Sequence, residues 1–230
     1  MLVSERGADA FVHEHFAASP EIIETYHSLS NVGSKSDFLR YLLLSVEGGV
    51  YTDTDTVGIK PIDQWVPDHL RGRVGLIVGI EFDRQNLEAL GHPHWISMCQ
   101  WTIAAAPHHA VFDRMIARVV RAMKELSDKQ QVPLARVKLS DIDVLYSGGP
   151  VAWTEVVFEL LQEYDGSLTS YQDLSLLKEP RLIGDVLVLP IDAFGSGMPH
   201  SSMATTGILP GEALVQHLFW GTWREKPLGN

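Results

Sequence analysis

The stretch Lys35–Ile59, KSDFLRYLLLSVEGGVYTDTDTVGI, decides how the rest of the chain is read. Its first half, Lys35–Glu47, has no Gly or Pro and follows the cap-rich Gly33-Ser34-Lys35-Ser36, so it is expected to be helical. Phe38, Leu39, Leu42, Leu43, Leu44 and Val46 make that helix apolar almost all round, which predicts burial. Asp37, Arg40, Leu44 and Glu47 fall on one face at helical spacing. Inside a buried helix, Asp and Arg on one stripe need a polar destination, and an internal ion pair is one such destination. Gly48-Gly49 stops the helix. Two short extended segments, Val50–Asp53 and Thr56–Ile59, then flank Asp53-Thr54-Asp55. Two carboxylates one residue apart just past a strand can face one cleft. Both are hard oxygen ligands suited to Mg²⁺ or Mn²⁺.

Outward from this segment the chain reads as an ordinary globular α/β protein. It has 230 residues, 45% of them apolar, enough for a sizeable core. Its net charge of −11 argues against a nucleic-acid backbone or an anionic membrane surface as main partner. A single anionic small molecule stays possible where a metal ion supplies positive charge. Cys99 is alone, which excludes an internal disulfide and a Cys-based zinc site. The longest apolar run, Val74–Ile80, is strand-length, so the chain as given shows no spanning segment or signal and reads as soluble.

Helices are expected over Ala8–Ala18, Pro20–Leu29, His109–Leu126 and Val151–Glu163. Strands are expected over Val74–Glu81, Met98–Ala105 and Asp185–Leu189. Such alternation predicts a mainly parallel central sheet covered on both faces, with ligands at the carboxyl ends of its strands. His13-x-His15, His92-x-His94 and His108-His109 lack further ligands at zinc spacing and are read as surface histidines.

The string Ser36-Asp37-Phe38-Leu39-Arg40-Tyr41 followed by Gly48-Gly49-Val50-Tyr51-Thr52-Asp53-Thr54-Asp55 resembles glycosyltransferase family 32, the sugar transferases with a DXD motif. Gly79-Ile80-Glu81, Cys99–Ala105, Trp153-Thr154, Gly184–Pro190 and His217 with Gly221-Thr222-Trp223-Arg224 look like its fungal initiation-specific α-1,6-mannosyltransferase branch.

The resemblance implies a single GT-A domain over residues 1–230, a Rossmann-like nucleotide-diphospho-sugar transferase fold. It implies a retaining transfer of mannose from GDP-mannose to a mannose-containing glycan, as in the outer chain of protein N-glycosylation, with Mn²⁺ or Mg²⁺ as cofactor. Asp53 and Asp55 are then metal ligands with His217 as the third, and Asp53, Asp55 and Arg40 the catalytic set. Asp37, Arg40, Tyr51, Thr222, Trp223 and Arg224 become donor contacts. Glu81, Asp83, Gln100 and Trp101 become candidates facing the acceptor.

Two departures accompany the match. The family has Thr-Gly-Pro where this chain has Gly148-Gly149-Pro150. Its members also begin with an earlier strand and a Golgi membrane anchor, whereas Met1-Leu2-Val3-Ser4 looks like the end of the second strand. The chain is therefore expected to be N-terminally incomplete, with Golgi localisation following from the resemblance alone.

Two other functions fit parts of the sequence. Asp53-x-Asp55-x-Val57 matches the nucleophile motif of haloacid-dehalogenase-type phosphatases. That motif should end a strongly apolar strand near the start of a domain, and here a buried helix and Gly-Gly precede it. A non-catalytic sugar-binding pseudoenzyme keeping the same fold is the other alternative.

Overall fold

The computed structural model describes residues 4–84, 93–198 and 200–220. Along the chain run α1 (Glu5–His15), α2 (Pro20–Ser28), α3 (Val32–Glu47), β1 (Gly49–Thr52), β2 (Thr56–Gly58), β3 (Leu76–Asp83), β4 (Ile96–Met98), β5 (Thr102–Ala105) and α4 (Ala110–Gln130). They are followed by α5 (Asp141–Ser147), α6 (Pro150–Tyr164), β6 (Arg181–Ile183), β7 (Val186–Leu189), α7 (Ile191–Phe194), α8 (Ser202–Thr206) and β8 (Val215–His217). These divide into two compact units. One comprises Met1–Gly49 and Ala106–Val156, the other Val50–Ala105 and Val157–Asn230.

The first unit is helical. The expected helix at Ala8–Ala18 starts three residues earlier, because Ser4 accepts the Gly7 N–H at 3.1 Å and caps it. Met1–Val3, and with them most of the expected N-terminal strand end, lie outside the described residues. The expected helix at Lys35–Glu47 also gains a turn, because the Asn31 side chain accepts the Ser34 N–H at 2.9 Å. Phe38, Tyr41 and Leu42 are fully buried in α3, as its apolar pattern requires. The Tyr41 ring stacks on Trp153, which stacks in turn on Phe112, and the Tyr41 hydroxyl donates to the Gly148 carbonyl at 2.9 Å. Gly148 and Gly149 permit close approach. A Cβ at 148 would stand 2.9 Å from a Val119 methyl, and one at 149 would stand 2.7 Å from the Val144 carbonyl. The loop that departs from the family's Thr-Gly-Pro is thus packed against neighbours that leave little room for a side chain.

The second unit holds the sheet, in order β1-β5-β3-β7-β6, with β4 also paired to β3. The α/β class expected from the sequence is what the chain adopts, but the sheet is mixed and not mainly parallel. Only β3 and β7 pair in parallel among the registers described, Leu76 opposite Val186 through Gly79 opposite Leu189. β3 runs antiparallel to β5 and to β4, and β6 to β7. The physical reason is connection length. Two residues, Gly184-Asp185, join β6 to β7, which leaves no room for the helical crossover that parallel neighbours need. The expected Met98–Ala105 strand is two short ones, β4 and β5, both paired with β3. β3 is buried along nearly its whole length. Gly79 lets Phe194 of α7 lie on it, since a Cβ there would be 2.7 Å from that ring. Apart from the main sheet, β2 and β8 form a two-stranded antiparallel ribbon, with Thr56 opposite His217 and Gly58 opposite Val215.

Candidate metal centre

Gly48 and Gly49 carry φ of 61° and 87°, which a side chain rarely adopts, and this turn brings the chain out of α3 and into β1. β1 lies at the sheet edge beside β5, and the Asp53 N–H donates to the Trp101 carbonyl at 2.9 Å. The residues between β1 and β2 are held by their own hydroxyls. Thr56 donates to the Asp53 carbonyl at 2.7 Å, and the Thr52 hydroxyl lies 2.6 Å from that of Thr56 and 3.0 Å from that of Thr102. The Tyr51 hydroxyl donates to Asp53 Oδ1 at 2.8 Å and fixes that carboxylate.

β8 brings the third group. Asp55 Oδ1 lies 3.2 Å from His217 Nε2, while Asp55 Oδ2 accepts the Trp220 N–H at 3.1 Å. Ligand atoms of Asp53, Asp55 and His217 all fall within 4.8 Å of one another, the one such set of three among the described residues. The side chains of His217 and Asp55 are 11% and 18% exposed, so the group is sheltered yet reachable. Two carboxylates and one imidazole are a donor set that a divalent ion such as Mn²⁺ accepts. The Phe219 N–H lies 3.1 Å from His217 Nδ1 and holds the ring with Nε2 toward Asp55. Burial lowers the pKa of His217, against the opposing pull of Asp55 and Asp53. A neutral imidazole is the form that binds metal.

Around this group Trp101 is central. Its ring lies 4.6 Å from the His217 ring, with Phe219 4.1 Å away on the same histidine. Its indole N–H donates to Glu81 Oε1 at 3.0 Å. Burial pushes Glu81 up to about 7, the Trp101 hydrogen bond pulls it down, and the Asp53 charge pushes it up again. Of the acceptor candidates, Glu81 and Trp101 thus stand beside the Asp/Asp/His group. Gln100 is buried next to Trp101 in sequence. Asp83, also buried, accepts from the Ser175 hydroxyl and the Leu176 N–H, both at 2.6 Å, and so pins a loop.

Asp37 and Arg40 belong to α3 in the helical unit. They form a 2.8 Å ion pair with both residues nearly enclosed, the internal pair that the sequence allowed. Thr222, Trp223 and Arg224 lie outside the described residues, as does His92. His109 is buried and not on the surface, because its Nδ1 accepts the Val111 N–H and caps α4. Sequence reasoning missed the hydroxyl chain of Thr52, Thr56 and Thr102, and the backbone N–H of Trp220. The run Leu218-Phe219-Trp220, apolar and directly after His217, was the available signal.

Among known proteins, the family described as glycosyltransferase sugar-binding region containing DXD motif matches residues 1–71. The initiation-specific alpha-1,6-mannosyltransferase of Schizosaccharomyces pombe is 36% identical over 199 residues, 83% of this chain and 47% of that one. The protein of the same name from Candida albicans is 29% identical over 242 residues, 97% and 62% of the two chains. The putative glycosyltransferase HOC1 of Saccharomyces cerevisiae is 33% identical over 194 residues, 81% and 48%. The chain spans about half the length of the first and last of these relatives. No helix among the described residues is long and apolar enough to cross a membrane. The resemblance drawn from the motifs therefore holds: this chain is similar to the DXD-motif sugar transferases, through a sugar-binding region at residues 1–71 and through initiation-specific α-1,6-mannosyltransferases along most of its length.

Proposed function

We propose that the chain is a metal-dependent retaining glycosyltransferase of GT-A type that moves mannose from GDP-mannose to a mannose-containing glycan in the Golgi, with residues 1–230 acting as one catalytic domain. The observation that carries this reading is the convergence of Asp53, Asp55 and His217 from a sheet edge and a ribbon. When bound there, a divalent ion supplies positive charge facing the diphosphate that leaves the donor. The protein's own part is to hold the ligands rigid. Tyr51 orients Asp53, and the ribbon register sets His217 against Asp55. Glu81, partly protonated near neutrality and held by Trp101, is proposed to keep or pass a proton of an acceptor hydroxyl. Asp37 and Arg40 are proposed donor contacts, together with Thr222, Trp223 and Arg224. The phosphatase alternative has less support, because the motif follows a four-residue edge strand and Asp55 is tied to a histidine.

A calorimetric titration with GDP, GDP-mannose and UDP-sugars, with and without Mn²⁺, tests the reading. It expects guanine-nucleotide binding that needs the metal, and mannosyl transfer to a mannose acceptor. Metal-independent binding, or transfer that survives chelation, overturns it.

A further inference from the structure

His13, which sequence spacing leaves as a surface histidine, is not alone in the helical unit. It lies in the last turn of α1, and His27 lies in the last turn of α2, both exposed. Their rings meet head to head. The two Nε2 atoms are 3.0 Å apart and the ring centroids 5.1 Å apart, with 34° between the planes. Fourteen positions separate the two residues, so folding and not a local motif brings them together. As it stands the pair is an imidazole hydrogen bond, which uses one lone pair and one proton of the facing nitrogens. A metal ion uses both lone pairs. Two Zn–N bonds of about 2.0–2.1 Å at a tetrahedral angle set the nitrogens roughly 3.3 Å apart, so the rings need to part by only about 0.3 Å. Exposed side chains make shifts of that size readily.

The surrounding charge favours a cation. Each histidine stands in the C-terminal turn of its helix, where carbonyls without an intrahelical partner carry partial negative charge. Glu5 and Asp9 precede His13 on the same stripe of α1, at successive steps of four residues. Burial raises the Tyr26 hydroxyl to about 12, and the charges of Asp9 and Glu5 push the same way, so this acidic stripe faces α2 beside His27. One Asp9 oxygen, Oδ1, is closed to solvent and has no hydrogen-bond partner among the described residues. Against these acids stands Lys35, whose ammonium lies 4.5 Å from the centroid of the Tyr26 ring. The donor set then selects the ion. Imidazole nitrogens suit Cu²⁺, Ni²⁺ and Zn²⁺, whereas Mg²⁺ and Mn²⁺ prefer oxygen, as at Asp53 and Asp55.

We propose that His13 and His27 form a second metal site, a two-imidazole clamp for a transition ion such as Cu²⁺ or Zn²⁺. Water fills the remaining positions of the ion, and the bound ion ties the end of α1 to the end of α2. The proposal goes beyond the transferase reading and does not depend on it.

Electron paramagnetic resonance of Cu²⁺ added to the full chain tests it, because each coordinated imidazole nitrogen splits the signal. The parent should show a copper species with two nitrogen ligands. The Asp53, Asp55 and His217 group offers a single nitrogen and is told apart by that count. His13→Gln and His27→Gln should each lose the two-nitrogen species, since one imidazole cannot chelate, and His15→Gln should keep it. Zn²⁺ at ten times its dissociation constant should raise the melting temperature of the parent by about 3–6 °C more than that of either of the first two variants. Both histidines are exposed, and each variant decides the matter by itself. Copper bound through one nitrogen only in the parent overturns the proposal. So does a two-nitrogen species that survives in either variant, or an equal Zn²⁺ shift in parent and variants. Titration of GDP with Mn²⁺ reads the transferase assignment separately. If no metal-dependent nucleotide binding is found while the two-nitrogen species is present, the transferase reading fails and the clamp stands.

Discussion

Two clusters of charged side chains in this molecule are built differently. On α3, Asp37 and Arg40 lie one helical turn apart and satisfy each other at 2.8 Å inside a nearly closed shell. At the end of β1, Asp53 and Asp55 come from a turn, and their third partner, His217, comes from the far end of the chain. The first cluster is closed in that opposite charges meet within one helix, largely out of water. The second is open: two carboxylates and an imidazole from distant segments form a donor set that a divalent ion accepts. The two differ in their mix of groups: a carboxylate with a guanidinium in one, two carboxylates with an imidazole in the other.

The sharpest way to break this contrast is to remove one open-site carboxylate. Asp53→Asn and Asp55→Asn should each cost at least ~10²–10³ in transfer rate, because the charge opposite the leaving diphosphate is lost. Their melting temperatures should stay near that of the parent. A variant that keeps its turnover in chelator-treated buffer contradicts the metal assignment.

The closed site should behave in reverse. Arg40→Ala strands the Asp37 carboxylate and should lower stability by ~3–5 kcal/mol in urea unfolding. Pairing Asp37→Leu with Arg40→Met should recover most of that loss, since two buried charges are then replaced by apolar groups. If the single variant unfolds like the parent, the pair is not buried as described.

Glu81 adds a pH axis. Its carboxyl is raised from 4.5 to about 7 in the folded state, so the fold holds a proton that the unfolded chain has released. Stability supplied by that proton is complete below about pH 4.5 and is lost as pH climbs to about 7. In metal-free buffer, Glu81→Gln should remove this decline and gain about 2–3 kcal/mol over the parent at pH 8. Parallel stability curves for the two proteins between pH 5 and 8 would count against the buried carboxyl.

The smallest effect expected is at the glycine loop. Gly148→Thr, the residue type the family more often carries, should cost ~1–3 kcal/mol, because its Cβ needs the Val119 methyl to move. No change in melting temperature would mean that this loop yields easily.

Much of this was legible in the residues. The buried α3, its Gly-Gly stop and the exit into Asp-x-Asp follow from local rules, since capping, periodicity and positive φ act over a few neighbours. Helix starts were misplaced at Ser4 and Asn31, where a side chain captured an N–H one turn earlier than the apolar pattern begins. Strand direction was beyond those rules. It depends on which segments meet, and the two-residue β6–β7 link fixes an antiparallel pair that composition does not announce. His217 entered by resemblance, because nothing near it in sequence points to Asp55. The ribbon that joins them is a pairing of distant segments with little apolar pattern of its own.

That ribbon has a consequence for the order in which the protein comes together. Trp220 and Asp55 are hydrogen-bonded across 165 positions of sequence. During synthesis, Asp53 and Asp55 leave the ribosome long before their histidine, and β2 must wait for β8. Helix α3 and the β6–β7 hairpin close over short loops and can form early, whereas the ribbon closes late. With three residues per strand in a two-stranded ribbon, its amides are expected to exchange sooner than those of β3. Assembly of the Asp53, Asp55 and His217 group is then expected to come late, after the elements that close over short loops.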